Sequence, residues 1–317
     1  MLLVSASTSE AGEARMSNEM TSGGAQHITD RASIWGLAAA AAGVGFLLWA
    51  ERRRSLRQPS AHLAGHQSER VVTNLAMAGL TAAVTHGAMV PVIEPLAEWV
   101  ERRQAGLVQR LPAPAWLRDA IAVVLLDYTL YWWHVAEHRL RWLYRFHQVH
   151  HADLALDTST ALRFHFGEFL ASVPWRAAQV VVIGASPRAV RLWQRLTMVS
   201  VLFHHSNARL PLWLERRLAR VVMTPRLHGI HHSVVVSEQD SNWSSGLTFW
   251  DRLHGTYRAN VPQDDIEIGV AAYREPMDVT LQRSLAMPLE PLPAARFPDG
   301  CTPTRADVST PRAVMRG

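Results

Sequence analysis

The chain has 317 residues, of which 48% are hydrophobic, and it carries a formal net charge of +5. Its single cysteine, Cys301, excludes a disulfide framework, an iron–sulfur site and a cysteine-based zinc site. All basic residues apart from histidine are arginine, and several of them lie beside apolar runs, at residues 51–54 and 139–141. This placement favours the positive-inside pattern of a membrane protein over a nucleic-acid-binding surface.

The first third of the chain alternates polar and apolar segments. Residues 1–31 are polar and rich in small residues, which predicts a disordered N-terminus. Residues 32–50 and 71–93 contain no Asp, Glu, Lys or Arg, and each has about the ~20 residues that a helix needs to cross a bilayer. We therefore predict two membrane spans, joined by an arginine-rich linker, residues 51–70, on the cytoplasmic side.

Three further apolar segments follow. Residues 115–133 predict a third span and contain Asp127, an ionisable residue whose place inside a span marks a functional candidate. Residues 169–185 and 189–203 are broken at Pro187, which predicts a helical hairpin that enters the membrane and returns. The third span ends on the arginine-rich, cytoplasmic side, and the hairpin returns the chain to that same side.

Residues 286–317 contain six prolines and little periodicity, so we predict a disordered tail. The remaining residues, 32–285, are expected to form one domain. The predicted fold class is all-α: an integral membrane helical bundle with a cytosolic helical cap that carries histidine boxes.

Eight histidines lie in three short boxes, HVAEH at 134–138, HQVHH at 147–151 and HGIHH at 228–232. Residues at i, i+3 and i+4 of a helix share a face, so each box presents several imidazoles together. Imidazole binds zinc, copper, iron and nickel, and a single zinc takes about four ligands. Eight histidines are too many for one ion and suit two. The boxes predict as metal ligands His134, His138, His147, His150, His151, His228, His231 and His232.

Two other interpretations fit part of this pattern. HVAEH also matches the H-x-x-E-H pattern of zinc peptidases, in which Glu137 would be the catalytic base beside His134 and His138. This alternative, a zinc-dependent membrane hydrolase, leaves six histidines without a role. The other alternative is a membrane protein that binds metal without catalysis.

Longer motifs surround the boxes. They are DYTLYWWHVAEH with Asp127 and Tyr131, RFHQVHH, LDTSTALRFHFGE, FHHSN, TPRLHGIHHS and SNWSSGLTFWDRLHGTY. Together these motifs, from Asp127 to Tyr257, resemble the membrane fatty acid hydroxylase/sterol desaturase superfamily. One stretch departs from it, because Trp243–Gly246 reads WSSG where many members have Asn-Tyr-Gly. The resemblance further implies that a set of residues around the boxes occupies positions of the superfamily's motifs. These residues are Arg163, His165, Glu168, His205, Asn207, Asn242, Trp250, Asp251, Gly255 and Tyr257.

The resemblance implies two iron ions and adds His165 and His205 to the eight box ligands, while His204 is expected to pack. Carboxylates near the boxes are expected to orient the imidazoles through their other ring nitrogens. The candidates are Asp127, Glu137, Asp157, Glu168 and Asp240.

The implied activity is an O2-dependent hydroxylation of a lipid C–H bond, with desaturation as the other outcome. The lipid is expected to enter from the bilayer, past Leu130, Tyr131 and Phe169. No haem, flavin or cysteine-cluster motif is present in the sequence, so electrons are expected from a separate ferredoxin or reductase. We expect no nucleic-acid partner, and an integral protein of a bacterial inner membrane with its metal site on the cytoplasmic side.

Overall fold

A computed structural model describes residues 35–36, 38–58, 63 and 65–305 of the chain. Within these ranges the protein contains helices and three isolated β-bridges but no β-strand, which confirms the all-α class. The chain divides between Trp49 and Ala50 into two compact units. Helix α1 covers residues 38–53, and its residues up to Trp49 belong to the first unit. The predicted disordered segment 1–31 lies outside the described residues.

The second unit holds the remaining helices, and a π-helical turn, Thr85–Met89, joins the first two of them. They are α2 Gln67–Val84, α3 Val90–Arg103, α4 Ala115–Arg139, α5 Arg141–His151, α6 Phe166–Ile183, α7 Pro187–His205, α8 Leu212–Leu218, α9 Pro225–His231, α10 Val236–Gln239, α11 Phe249–Leu253 and α12 Leu281–Ala286.

The four longest helices after α2 share one apolar core. Ile93 of α3, Leu126 of α4, Val180 of α6 and Trp193 of α7 are among its buried members. Burial of such side chains contributes roughly 1.5–3 kcal/mol each relative to exposure. This core fixes the end of α4, from which the first histidine box begins.

Glycine and proline set the turn between α6 and α7. Gly184 ends α6 at φ +83°, and a Cβ on Gly106, itself at φ +84°, would lie 2.4 Å from the Gly184 Cα. Ser186 then caps α7 by accepting a hydrogen bond from the Ala189 N–H, and Pro187 occupies the first turn. The predicted break between residues 185 and 189 is therefore a tight interhelical turn.

One described segment, Gln67–Arg110, is long and apolar enough to cross a membrane. It contains the predicted span 71–93. Helices α4, α6 and α7, which contain the predicted spans 115–133, 169–185 and 189–203, do not meet the same combined criterion of length, apolarity and low charge. The predicted span 32–50 is helical at residues 35–36 and 38–50.

A buried polar network joins α2 to the segment that follows α5. Arg70 donates to the Asp153 carboxylate at 2.7 Å, and Asn74 donates to the same oxygen at 3.0 Å. Arg163 is fully buried and donates to the Asn74 side chain, to the carbonyl of Val149 and to two groups near α12. Buried charges need such partners, so this network fixes the second histidine box against α2.

The structure differs from the sequence prediction in the C-terminal tail. Met287 is buried, and Arg305 pairs with the buried carboxylate of Glu238 at 2.7 Å. Residues 286–305 therefore pack on the domain instead of forming a disordered segment. The sequence did not predict this packing, because an extended, proline-rich chain can bury single side chains without showing any hydrophobic periodicity. Residues 306–317 lie outside the described part of the chain.

Candidate metal centre

Nine histidines meet in two adjacent groups, and within each group one ring nitrogen of every histidine lies within 4.8 Å of those of the others. The five-histidine group consists of His134, His138, His147, His151 and His231. The four-histidine group consists of His150, His205, His228 and His232.

The two HxxHH boxes divide their histidines between the groups in opposite ways. In α5, His147 and His151 join the five-histidine group, and His150 joins the other. At α9, His228 and His232 join the four-histidine group, and His231 joins the first. Residues four apart lie on one stripe of a helix, whereas consecutive residues are turned by about 100° from each other. Each box therefore reaches both groups.

Main-chain carbonyls orient four of the imidazoles. The Nδ1 atoms of His134 and His231 lie 2.7 Å and 2.9 Å from the carbonyl oxygens of Trp243 and Ser241. The Nδ1 atoms of two histidines in the four-histidine group also lie on carbonyl oxygens, at 3.2 Å for His150 with Arg163 and 2.8 Å for His205 with Val201. A carbonyl oxygen only accepts, so Nδ1 carries the proton and Nε2 presents a lone pair.

These tautomers create a conflict that a cation resolves. The Nε2 atoms of His150 and His205 face each other at 3.0 Å, and both present lone pairs. Burial lowers the pKa of His205 to about 3, so a proton does not bridge them near neutral pH. The His228 Nε2 lies 3.0 Å from those of His205 and His232. Such separations suit ligands that share an ion with metal–nitrogen bonds of about 2.0–2.1 Å, so these residues fit a metal.

Unpartnered nitrogens give the same indication in the five-histidine group. His138 Nε2, His231 Nε2 and both ring nitrogens of His151 are buried and have no hydrogen-bond partner among the described residues. An unsatisfied buried polar atom costs about 1–3 kcal/mol. A metal ion bound among these nitrogens would remove that cost.

Two of the five predicted carboxylates lie beside a box histidine. The His147 Nδ1 is 3.4 Å from a Glu168 oxygen and 3.7 Å from a Glu137 oxygen. Burial raises the pKa of Glu168 to about 8 and, together with the neighbouring Glu168, also raises the pKa of Glu137. These three side chains form a further set that could contribute to metal binding.

The other three predicted carboxylates bind elsewhere. Asp127 accepts from the Trp250 indole N–H at 2.7 Å and from the Leu247 N–H at 3.1 Å. Asp157 accepts from Arg70 and from the Ser159 hydroxyl, and Asp240 pairs with Arg139 at 3.3 Å. Main-chain carbonyls, and not these three carboxylates, orient the imidazoles. A carbonyl leaves no signal in the sequence, because every residue has one.

His165 lies in neither group. It is the N-cap of α6, and its Nδ1 accepts a hydrogen bond from the Gly167 N–H at 3.0 Å. His204 is also in neither group, and its ring packs 4.1 Å from that of His228. Of the ten histidines predicted as ligands, the structure thus brings nine together and gives His165 the position of a helix cap.

The closing motif positions one of the orienting carbonyls. The buried Asp251 carboxylate accepts from the N–H groups of Trp243 and Ser244, at 2.9 Å and 3.1 Å, and from the Thr256 hydroxyl at 2.7 Å. Asn242 adopts a left-handed conformation at φ +53° just before this turn. The turn fixes the Trp243 carbonyl on which the His134 ring depends.

Comparison with known sequences agrees with this arrangement. The sequence pattern described as "Fatty acid hydroxylase" matches residues 120–256, which contain all nine grouped histidines. This segment is similar to the fatty acid hydroxylase family. The resemblance to the fatty acid hydroxylase/sterol desaturase superfamily is thereby confirmed, and the family match gives no support to the zinc hydrolase alternative.

Relatives within the family are lipid hydroxylases and monooxygenases. Ornithine lipid hydroxylase OlsE of Rhizobium tropici is 31% identical over 50% of this chain and 46% of its own length. The cholesterol 25-hydroxylase-like protein of Danio rerio is 32% identical over 43% of this chain and 54% of its own length. The alkylglycerol monooxygenase of the same species is 29% identical over 46% of this chain and 31% of its own length. The chain thus spans about half or less of these relatives. No solved structure gave a significant match.

Proposed function

We propose that this protein is a membrane-bound oxygenase that hydroxylates a lipid C–H bond with O2, using two irons held by the nine grouped histidines. The observation that carries the proposal is the division of these histidines into two adjacent buried groups. The facing lone pairs of His150 and His205 support a cation in one group, and the unpartnered nitrogens of His138 and His151 support a cation in the other.

Iron is favoured because the relatives are named as hydroxylases and monooxygenases. Bound iron would supply the dioxygen chemistry that amino-acid side chains lack. The protein's own contribution is orientation: carbonyls hold Nδ1 protons and point Nε2 atoms inward. Burial of the histidines excludes bulk water from the centre. In the metal-free protein the raised pKa of Glu168 favours a protonated carboxyl group beside the His147 Nδ1.

The proposed substrate is a lipid that approaches along α4. Tyr131 is buried one turn before His134 and packs against Trp243, whose ring lies 6.3 Å from that of His138. Leu130 and Phe169 belong to the apolar core on the neighbouring side. The named substrates of the relatives, an ornithine lipid, cholesterol and alkylglycerols, all combine an apolar body with a polar group. We favour hydroxylation over desaturation for this chain.

The proposed setting is a bilayer, crossed by the Gln67–Arg110 segment, with the remaining long helices embedded beside it. The metal centre would lie at the cytoplasmic surface, where the arginine-rich segments are. Electrons would come from a separate ferredoxin or reductase, since the only cysteine, Cys301, cannot hold an iron–sulfur cluster.

Metal analysis and lipid mass spectrometry test this function together. Purified protein is expected to contain two irons, and cells that express it to gain a lipid heavier by one oxygen atom. His150→Ala should lose iron and the product while the protein stays in the membrane fraction. Trp116→Phe, at an exposed site on α4, is the matched control. One zinc per chain, or full activity of His150→Ala, would refute the proposal.

A further inference from the structure

Helix α11 lies beside the middle of α4. The Trp250 indole binds the Asp127 carboxylate, and the Tyr128 hydroxyl lies 3.2 Å from the His254 Nε2. Asp127 precedes His134 by seven residues, which correspond to about 10 Å along the helix axis. If α4 enters the bilayer as the proposed function requires, α11 is therefore about 10 Å deeper than the metal centre.

The outward face of α11 is apolar. Phe249 and Leu253 lie four residues apart on one face, and 54% and 56% of their surfaces are exposed. Trp250 and Asp251 between them are buried. Exposed apolar residues at this spacing need a covering partner, because an isolated soluble surface seldom carries them together.

Helix α8 extends the same surface with basic residues. The chain after α8 reaches α11 directly, since the Thr248 N–H donates to the Val221 carbonyl and Arg252 donates to that of Ala219. Trp213 of α8 is exposed, and the Arg217 guanidinium lies 5.5 Å from the centre of its ring. We define the α8–α11 surface as Leu212, Trp213, Arg216, Arg217, Arg220, Val221, Phe249 and Leu253, all exposed.

The charges around this surface have one sign. Arg216, Arg217 and Arg220 are exposed, whereas Glu215 and Asp251, the acidic residues of segments 209–222 and 247–258, are buried. A tryptophan and arginines beside apolar side chains are the composition of an element that lies in a membrane interface and attracts anionic lipids.

We propose that the α8–α11 surface inserts into the headgroup and acyl boundary of an anionic membrane leaflet. Phe249 and Leu253 enter the acyl region, and the three arginines contact lipid phosphates. The C-terminal lobe, which we define as residues 212–258, is thereby held on the membrane, beside the α4 face along which the substrate is proposed to approach. The inference rests on the proposed membrane orientation of α4.

Depth-dependent fluorescence quenching of the full chain tests the docking. Cys301→Ser gives a background for single cysteines that carry an environment-sensitive fluorophore, in liposomes containing phosphatidylglycerol. Leu253→Cys reports on the α8–α11 surface and Val124→Cys on α4. Met277→Cys is the matched control, because Met277 is apolar and 72% exposed but lies on the segment packed against α12.

Nitroxides on lipid acyl chains are expected to quench the labels at 253 and 124 several-fold more than the label at 277, which aqueous iodide should quench. The docking would be overturned if iodide quenched the label at residue 253 as strongly as the label at residue 277 while the label at residue 124 remained in lipid. The proposed function would still stand after that result. Shielding of 253 from both quenchers would also overturn it, because a protein would then cover the surface. A label at 124 that is open to iodide would overturn both proposals.

The charge component has its own test. Combined Arg216→Gln, Arg217→Gln and Arg220→Gln should reduce lipid quenching at 253 and remove its dependence on salt and on anionic lipid, because exposed charges are screened by salt. Quenching that keeps its full salt dependence in this variant would refute the role of the arginines.

Discussion

The Asp127 carboxylate accepts a 2.7 Å hydrogen bond from the Trp250 indole, so the middle of α4 holds the C-terminal lobe in place. Trp250→Phe removes this donor and leaves a smaller aromatic ring in its place. Hydrogen bonds to charged groups contribute about 1.5–3 kcal/mol, and we expect a loss of that size in the free energy of unfolding. Thermal unfolding in detergent measures it.

The same substitution should weaken iron binding in the five-histidine group, because the lobe carries the Trp243 carbonyl that orients His134. Trp116→Phe, on an exposed part of α4, provides the control and should change neither property. Unchanged stability of Trp250→Phe would contradict the anchoring role of Asp127.

His165 is expected to act as a helix cap and not as a ligand. His165→Asn keeps a good N-cap residue and should retain both irons with little change in stability, whereas His165→Ala should lose about 1 kcal/mol of stability but still bind two irons. Iron content and thermal unfolding, measured on the same samples, separate the two effects. Loss of one iron from both variants would show that His165 binds metal.

Adjacent histidines are expected to affect different irons. His151→Ala leaves four histidines in the five-histidine group, whereas His150→Ala leaves three in the four-histidine group. We therefore expect His150→Ala to lose iron at lower chelator concentration than His151→Ala. A chelator titration followed by iron spectroscopy measures this order, and identical titrations for the two variants would contradict the grouping.

The metal-free protein should lose stability in acid. Burial lowers the pKa of all nine grouped histidines, to about 3 for His205 and His231, against about 6.5 in an unfolded chain. The unfolded state therefore binds more protons below pH 6.5, and stability present above that pH is lost as the pH falls toward 3. For His205 and His231, whose pKa is about 3, this contribution is about 1.4 kcal/mol per pH unit between pH 6.5 and 3.

Glu137 and Glu168 act in the opposite direction, because their raised pKa values favour the folded state as the pH falls. Other buried carboxyl groups with raised pKa values, such as Glu51 and Glu215, act with them, but the nine histidines outnumber these carboxyl groups and determine the sign. Unfolding temperatures of chelator-treated protein between pH 7.5 and 5.5 test the prediction. A midpoint that stays constant or rises as the pH falls would contradict it.

The sequence predicted the helical class and the convergence of the boxes, because same-face spacing and the cost of burying imidazoles are local properties. It did not predict which group each histidine joins. That choice depends on how α4, α5, α7 and α9 cross, and their crossings follow from long-range packing. His150 and His151 are neighbours in sequence and yet serve different groups.

Two other features were beyond sequence analysis for physical reasons. The groups that orient the rings of His134 and His231 are carbonyls of Trp243 and Ser241, and a carbonyl has no residue signature. Asp127 was predicted to orient an imidazole because a buried acid needs a partner. It does have one, but the partner is Trp250, more than a hundred residues away in the chain.

The opposite division of the two HxxHH boxes makes the two histidine groups mechanically inseparable. His150 and His151 are joined by one peptide bond, as are His231 and His232, so neither group can shift without moving members of the other. A single-residue insertion inside either box would turn every later ring by about 100° and disrupt both groups at once. The number of residues within a box therefore matters to the geometry as much as their identity.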